Sequence, residues 1–275
     1  MLAVQELLPD HRLRPFLFSY VQRESHPQEA EVVEPVLARL GAVLEFQFAG
    51  PYEVPIYGTD ISLTSLPVTV VGPITYRRAR IIIRGHVQAL TVLFQPMGFH
   101  ALFGVPTSPL SDFGYEAHGV LGASVSILYQ RLGNTASFAE RASLLDSFFI
   151  DQIARMRPLY GAAHVLQQLS LPGRKLPLSA AARQAGISTR QLERLSLQHV
   201  GMSPTMIVRI ARFRTALRLK LLGAHSWTEV AHTTGYHDHM HMVRDFHALA
   251  GDTPSAAFRT LAPDQLTYLA AMSRR

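Results

Sequence analysis

The apolar positions of residues 203–222 recur at the spacing of one helix face. They follow one another at intervals of four, three, four and four residues, at Met206, Ile210, Phe213, Leu217 and Leu221. Such a stripe predicts a helix that packs along one side against neighbouring elements. Twenty residues of helix span ~30 Å at 1.5 Å per residue. The pattern therefore predicts a long helix with one apolar face.

This helix lies between two copies of one short motif. In each copy an alanine stands four residues before a glycine, at Ala182 and Gly186 and again at Ala231 and Gly235. Each copy ends in Gly-x-Ser-Pro or Gly-x-Thr-Pro, and matching glycines are 49 or 50 residues apart. An internal repeat of this kind indicates one small folding unit that is used twice.

Each copy has the pattern of two short helices joined by a tight turn. The glycine suits the left-handed residue that ends a helix, and the alanine lets the two helices approach closely. Ser188 with Gln191 forms a capping box, and Asp238 is the predicted N-cap of the corresponding helix in the second copy. This is the helix-turn-helix pattern, whose second helix enters the DNA major groove.

Short strands dominate the pattern from about residue 30 to 120. Residues 41–48 end in apolar and polar alternation, and β-rich runs follow at 68–71, 80–84 and 90–94. Turn residues separate these runs, which predicts a compact β-barrel or sandwich. Two helices are expected between residues 119 and 157, the second opening at a capping box that starts at Ser137. The apolar stripe of that second helix is either core or a dimer interface.

Composition and charge divide the chain into two parts. The 275 residues are 48% hydrophobic and 17% charged, which predicts a substantial core and argues against disorder. Residues 1–157 carry 12 Lys and Arg against 14 Asp and Glu, whereas residues 158–275 carry 14 against 6, a net charge of +8. The basic part indicates a polyanionic partner, although a merely solvated basic face stays open. We place the domain boundary at Arg157 and Pro158, where the proline disfavours helix.

Several classes of chemistry are excluded or disfavoured. The chain has no cysteine, which excludes disulfides, thiolate nucleophiles and cysteine-bound zinc. The N-terminus lacks a signal-peptide core, and no run approaches the ~20 apolar residues that span a bilayer. We therefore expect a soluble cytoplasmic protein that needs no membrane partner. No catalytic motif stands out, and no cofactor is expected.

Residues 160–262 resemble the DNA-binding domain of AraC/XylS-type transcription regulators. The match runs through 186–194, 200–204, 212–216, 230–238, 241–246 and 251–259. The resemblance implies an all-α domain, 158–275, in which a long helix joins two helix-turn-helix units. Residues 1–157 resemble the family's effector and dimerisation domain only in size, position and element order, which implies a cupin-like β-rich domain with trailing helices.

By position, the resemblance assigns a DNA-facing surface to both units. In the first unit it comprises Ser188, Thr189, Arg190, Glu193 and Arg194. In the second it comprises His239, Met240, Val243 and Arg244. Arginine pairs with guanine, glutamate accepts from cytosine, and apolar side chains meet thymine methyl groups. A solvated arginine or a phosphate contact stays open for Arg194.

Two positions depart from the family pattern. Ser196 stands where a core phenylalanine is usual, and Met242 replaces another aromatic residue. Both changes are expected to thin the aromatic packing beneath the recognition helices.

Two other groups of residues invite a ligand interpretation. His237, His239 and His241 suggest a metal site, but helical geometry puts only the first and third on one face, so we expect no metal. The aromatic residues of the β-rich region either line a small-molecule pocket or fill the core, at Phe46, Phe48, Tyr52, Tyr57, Phe94 and Phe99.

The sequence thus predicts a sequence-specific regulator of transcription that binds double-stranded DNA. The resemblance adds a small-molecule effector, RNA polymerase and a second copy of the chain as expected partners. Two alternatives stay open: an enzyme whose barrel is tethered to DNA by the basic domain, and an architectural DNA-binding protein without an effector.

Overall fold

The computed structural model describes residues 2–26, 31–76, 79–156, 162–171, 177–223 and 226–261. A β-rich N-terminal domain precedes a helical C-terminal domain. The predicted boundary at Arg157 and Pro158 lies outside the described residues. None of the helices in the described ranges combines the length and apolar character needed to cross a membrane.

Within the described ranges, ten strands form two antiparallel sheets. The strands are β1 (Ala3–Leu7), β2 (Leu17–Ser25), β3 (Val32–Pro35), β4 (Val43–Gln47), β5 (Glu53–Pro55), β6 (Ser62–Thr64), β7 (Val68–Val71), β8 (Arg80–Ile83), β9 (Val87–Phe94) and β10 (Gly114–Glu116). One sheet has the order β1-β2-β9-β4-β7-β10 and the other β3-β8-β5-β6. The domain is therefore a sandwich of two sheets, one of the two predicted architectures, and not a closed barrel.

In the part of the N-terminal domain that the structure describes, four α-helices accompany the sheets: α1 (Gly98–Phe103), α2 (Ala117–Leu121), α3 (Ala123–Gly133) and α4 (Phe138–Arg155). The predicted capping box is present, since Ser137 and Glu140 exchange side-chain and backbone hydrogen bonds. The helices cover the outer face of the six-stranded sheet, where Leu145 and Phe149 of α4 are fully buried. The core interpretation of that stripe is therefore correct for these two residues.

Most of the aromatic residues singled out in the sequence belong to this same outer core. Phe46, Phe94 and Phe99 are fully buried there, and Phe48 is stacked on Tyr129. Tyr57 is 41% exposed. The core interpretation is thus confirmed for the three phenylalanines, and they do not lie between the two sheets.

The C-terminal domain consists of seven helices in the described ranges. They are α5 (Ala162–Leu169), α6 (Leu178–Gln184), α7 (Thr189–Val200), α8 (Pro204–Leu221), α9 (Trp227–Thr234), α10 (His239–Ala250) and α11 (Pro254–Arg259). Helix α8 is the predicted long helix, and the Ser203 side chain caps it before Pro204. The domain has one contiguous core to which both halves contribute.

Helix α8 is buried over more of its circumference than the single stripe predicted. Ile210, Phe213 and Leu217 of the stripe are buried, but Ala211 and Thr215 on other faces are buried as well. The reason is that helices from both flanking units pack against it. The helix is thus the shared centre of the domain.

Candidate nucleic-acid interface

The first helix-turn-helix unit consists of α6, a tight turn and α7. Gly186 has φ +67, the left-handed conformation that glycine adopts without strain. The Ile187 N–H donates to the Ala182 carbonyl at 3.0 Å, which closes the end of α6. At the start of α7, the Ser188 hydroxyl accepts from the Gln191 N–H at 3.2 Å. The Ser188 N–H in turn donates to the Gln191 side chain at 2.9 Å, which confirms the capping box.

The predicted base-reading side chains of α7 share its outward face. Leu192 is fully buried and fixes the helix against the core. The side chains on the opposite, exposed face are those of Thr189, Arg190, Glu193 and Arg194. An arginine and glutamate surface at the start of a recognition helix is suited to guanine and cytosine edges.

The second unit, α9 and α10, repeats this geometry. Gly235 has φ +79, and the Tyr236 N–H donates to the Ala231 carbonyl at 3.0 Å. Asp238 caps α10 as predicted, accepting from the His241 N–H at 2.6 Å. This backbone hydrogen bond, together with a side-chain hydrogen bond from the His237 imidazole, holds the pKa of the Asp238 carboxyl below its usual value.

The predicted DNA-facing residues of α10 differ in their accessibility. His239 and Arg244 are exposed, and Met240 is 62% exposed. Val243 is half-buried and therefore offers less surface than the other three residues. An apolar side chain as exposed as Met240 at the start of a recognition helix is suited to a thymine methyl group.

An ion pair ties the second recognition helix to α8. Arg209 Nε lies 2.6 Å from Asp245 Oδ1, and the Asp245 side chain is only 5% exposed. The guanidinium of Arg212 lies 5.1 Å above the Tyr236 ring. Burial and the nearby Asp245 carboxylate raise the pKa of the Tyr236 hydroxyl. These arginines of α8 contribute to the internal structure of the domain.

A third arginine of α8 is not available to DNA. Arg214 lies off the apolar stripe, and helical spacing alone would leave such an arginine free to meet a phosphate. It is 5% exposed in the structure, because α8 is packed on several sides. Arg214 therefore does not belong to the DNA-facing surface.

The departures from the family pattern are accommodated in two ways. Ser196 is fully buried, and its hydroxyl donates to the Met202 carbonyl at 2.6 Å, so a hydrogen bond takes the place of aromatic packing. Met242 is also fully buried. Beside it Phe246 keeps aromatic contacts with Phe213 at 4.8 Å and Trp227 at 5.4 Å between ring centroids.

The histidine run of α10 does not form a cluster of ligands. His237 Nδ1 lies 3.2 Å from Asp238 Oδ2, and the His241 and Tyr236 rings pack in a T-shaped arrangement. Within the described ranges, no group of three or more His, Cys, Asp or Glu side chains is arranged to hold a metal ion.

Sequence reasoning missed the contact between the two domains. The Thr107 N–H donates to the Gln198 carbonyl at 2.9 Å, and its hydroxyl donates to the His199 carbonyl at 3.0 Å. The Ser111 hydroxyl donates to the Gly201 carbonyl at 2.6 Å. These carbonyls lie at the C-terminal end of α7, where helices leave acceptors without intrahelical partners. The N-terminal domain therefore caps the first recognition helix.

The same domain also reaches the end of the second recognition helix. The Ala38 N–H donates to the Leu249 carbonyl of α10 at 3.1 Å. The imidazoles of His100 and His199 stack across the interface with centroids 4.4 Å apart. Burial, His100 and Arg194 together lower the pKa of His199 to about 4. Both recognition helices are thus fixed by one surface of the N-terminal domain.

Comparison with known proteins gives one family match and several remote structural likenesses. Residues 181–260 match the family model described as a helix-turn-helix domain. No curated protein matches the chain. The structure of ToxT from Vibrio cholerae O395 aligns over 96% of this chain and 98% of its own, with 9% identity and a TM-score of 0.47.

Two further structures align with all or part of the chain. Wild-type ToxT from V. cholerae strain SCE256, bound to an unsaturated fatty acid, covers 95% of both chains with 10% identity and a TM-score of 0.46. A cupin superfamily protein from Desulfitobacterium hafniense DCB-2 aligns over 34% of this chain and 77% of its own, with 14% identity and a TM-score of 0.26. The assignment of the helical region rests on the family match and on the geometry of the two units.

Proposed function

We propose that this chain is a transcription regulator of the AraC/XylS type, which reads two successive major grooves of DNA through the helix-turn-helix domain matched at residues 181–260. One observation carries the proposal: two units of the same geometry, each with an exposed recognition-helix start, flank a single buried helix. A net charge of +8 over residues 158–275, from 14 Lys and Arg against 6 Asp and Glu, favours binding to the phosphate backbone.

Helix α8 supports the spacing that this function needs. It has 18 residues, Pro204–Leu221. At 1.5 Å per residue it spans ~27 Å. Successive major grooves on one face of DNA are ~34 Å apart, so a rigid helix of this length suits two recognition helices that bind one turn apart.

Within this proposal the exposed side chains divide into two roles. Arg190, Glu193 and Arg194 would read base edges for the first unit, by the pairing of arginine with guanine and of glutamate with cytosine. Met240 and Arg244 would do so for the second unit. Ser188 positions the first helix through its cap, and its exposed side would contact DNA. Thr189 and His239 complete the two surfaces.

The N-terminal domain is proposed to bind a small-molecule effector, and the binding of the effector is proposed to alter the DNA-binding domain through the contact between the domains. The interface at Thr107, Ser111 and Ala38 supports this, because it touches the C-terminal ends of both recognition helices. A second copy of the chain and RNA polymerase are proposed as further partners. The proposed role requires no catalytic group.

Selection of bound fragments from genomic DNA tests the proposal. The expected result is an enriched motif with two elements one helical turn apart. Arg194→Ala should weaken binding to that motif by ~1–3 kcal/mol and relax one base position. Arg80→Ala is a matched control, because it removes one exposed arginine from the N-terminal domain. Fragments without any common motif would refute sequence-specific regulation.

A uniform loss of affinity on all sequences in Arg194→Ala would assign this residue to phosphate contact. That outcome would leave the regulator proposal intact but would remove Arg194 from the base-reading set.

A further inference from the structure

The space between the two sheets of the N-terminal domain is unusually polar. The large apolar core of this domain lies on the other side of the six-stranded sheet, beneath the helices. Between the sheets the buried apolar cluster is small, comprising Leu2, Ile83, Val87 and Ala89. Protein interiors are normally apolar, because burying polar and charged groups is unfavourable unless they are partnered. A polar interior next to a complete core therefore suggests a ligand site.

Strand register places a set of polar side chains on this inner face. Thr91 of β9 is paired with Glu45 of β4 on one side and with Val21 of β2 on the other. Val21 is in turn paired with Glu6 of β1. Directly paired residues of antiparallel strands project to the same side of the sheet, so Glu6, Thr91 and Glu45 lie in one row.

The contacts of Glu45 show that this row faces the opposite sheet. Its carboxylate accepts hydrogen bonds from the Tyr52 hydroxyl, from Gln47 Nε2 at 3.1 Å and from Thr91 Oγ1 at 3.3 Å. Tyr52 packs in the apolar cluster between the sheets. Burial and the Glu45 carboxylate raise the pKa of Tyr52, so the phenol stays a donor.

The charges on this inner face do not balance. Arg23 of β2 lies 3.7 Å from Glu34 of β3, an ion pair that crosses from one sheet to the other. Glu6 and Glu45 add two further carboxylates to the same space. Among the residues that the structure describes, three carboxylates therefore face one guanidinium, which makes this part of the space between the sheets acidic.

Two acceptor atoms here have no donor among the residues that the structure describes. Gln47 turns its amide N–H towards Glu45, which leaves the amide oxygen Oε1 buried without a hydrogen bond. Gln47 as a whole is only 5% exposed. Glu6 Oε1 is buried without a partner in the same way. A buried acceptor without a donor is unfavourable, and a ligand that brings donors removes the penalty.

We infer that this acidic space between the sheets binds a small organic amine, whose ammonium group donates to Gln47 and Glu45. The inference rests on the proposed function, since the amine would be the effector of the regulator. An ammonium group has three donors and no acceptor, so it complements a site in which carboxylates outnumber cations. The Tyr52 ring supplies an aromatic surface in the same space.

The same chemistry discriminates against other ligand classes. A fatty acid would bring its carboxylate to a surface that already holds three carboxylates, and like charges at close range are repulsive. A neutral sugar would satisfy the free acceptors but would leave the excess negative charge uncompensated. The amine is the class that does both.

Thermal shift and calorimetry on the full-length protein test the inference. The probes are putrescine and agmatine as amines, xylose as a neutral polyol, and hexanoate and oleate as carboxylates. We expect the amines alone to raise the melting temperature, with the affinity falling at least tenfold in Glu45→Gln. Glu31→Gln is the matched control, because it changes an exposed carboxylate of the same domain and should leave amine binding unchanged.

A second variant covers the case in which Glu45→Gln does not fold. Gln47→Leu removes the unpartnered oxygen and should lower amine affinity at least tenfold. The inference is overturned if neither amine binds, if xylose or a carboxylate binds instead, or if amine binding survives in both variants. DNA selection without amine reports on the DNA-binding proposal separately, so the two proposals fail by different results.

Discussion

Replacement of Gly201 by alanine tests whether the contact between the domains stabilises the first recognition helix. Gly201 ends α7 with φ +82, a left-handed conformation that is unfavourable for alanine by ~1–2 kcal/mol. The new Cβ would lie 2.4 Å from Ser111 Oγ and 3.1 Å from the Thr107 carbonyl oxygen. Ser111 would have to move, and its hydrogen bond to the Gly201 carbonyl is worth ~0.5–1.5 kcal/mol. The expected loss in the free energy of unfolding is therefore roughly 1.5–3.5 kcal/mol.

Gly186→Ala is the matched control. Gly186 also has a left-handed conformation, with φ +67, but a Cβ there would meet no atom within 4 Å. Only the backbone penalty of ~1–2 kcal/mol applies. Denaturant unfolding followed by the fluorescence of Trp227, the single tryptophan of the chain, reports on the helical domain. We expect Gly201→Ala to lose ~1 kcal/mol more than Gly186→Ala.

Equal losses in the two variants would refute this reasoning. They would mean that Ser111 and Thr107 contribute nothing to the stability of α7, and that the N-terminal domain does not hold the recognition helix.

Two further predictions concern buried charges. Arg209→Ala leaves the Asp245 carboxylate buried without its partner, and we expect the free energy of unfolding to fall by about 2–3 kcal/mol. This is less than the roughly 3–5 kcal/mol of a fully buried pair, because the Arg209 side chain is 36% exposed. In a double-mutant cycle, Asp245→Asn should recover part of this loss, and simple additivity of the two single losses would contradict the coupling. The second prediction concerns His199, whose pKa of about 4 in the folded protein lies below the ordinary value of 6.5. Between these two pH values the unfolded chain binds more protons than the folded one. The free energy of unfolding should therefore fall as the pH drops from 6.5 towards 4. His199→Phe should flatten this dependence in pH-resolved denaturant unfolding, with His100→Phe as the comparison, and an unchanged slope would exclude His199 as its source.

Features that depend on a few neighbouring residues were predicted from the sequence. The turn at Gly186 and the caps at Ser188 and Asp238 follow from local backbone chemistry, and the structure has all three. The position of the recognition-helix residues followed from the repeat and the family resemblance. The structure adds that Val243 is half-buried, whereas the other predicted DNA-facing residues of α10 are exposed.

Features that depend on distant partners were not predicted. Thr107 and His199 are 92 residues apart in the chain, and neither lies in a recognisable motif. Arg214 appeared free on a helical wheel, yet both units pack around α8 and bury it. Strand β2 was missed because Leu17 to Val21 are buried on both faces, which removes the alternation that identifies a strand.

The polar space between the sheets belongs to the same group. Glu6, Glu45 and Thr91 come together only through the pairing of strands from separate parts of the chain. Each residue alone is typical of a solvated strand face. Only the register and the second sheet show that they are enclosed.

The central claim, that two rigidly linked units read successive turns of DNA, is tested most directly by changing the spacing within a selected site. Insertion of about five base pairs between the two elements rotates one by half a helical turn relative to the other. We predict that quantitative footprinting will then show at least a hundredfold weaker binding, and that insertion of a full turn will not allow both units to bind at once. Unchanged affinity and an unchanged footprint after the half-turn insertion would contradict the account.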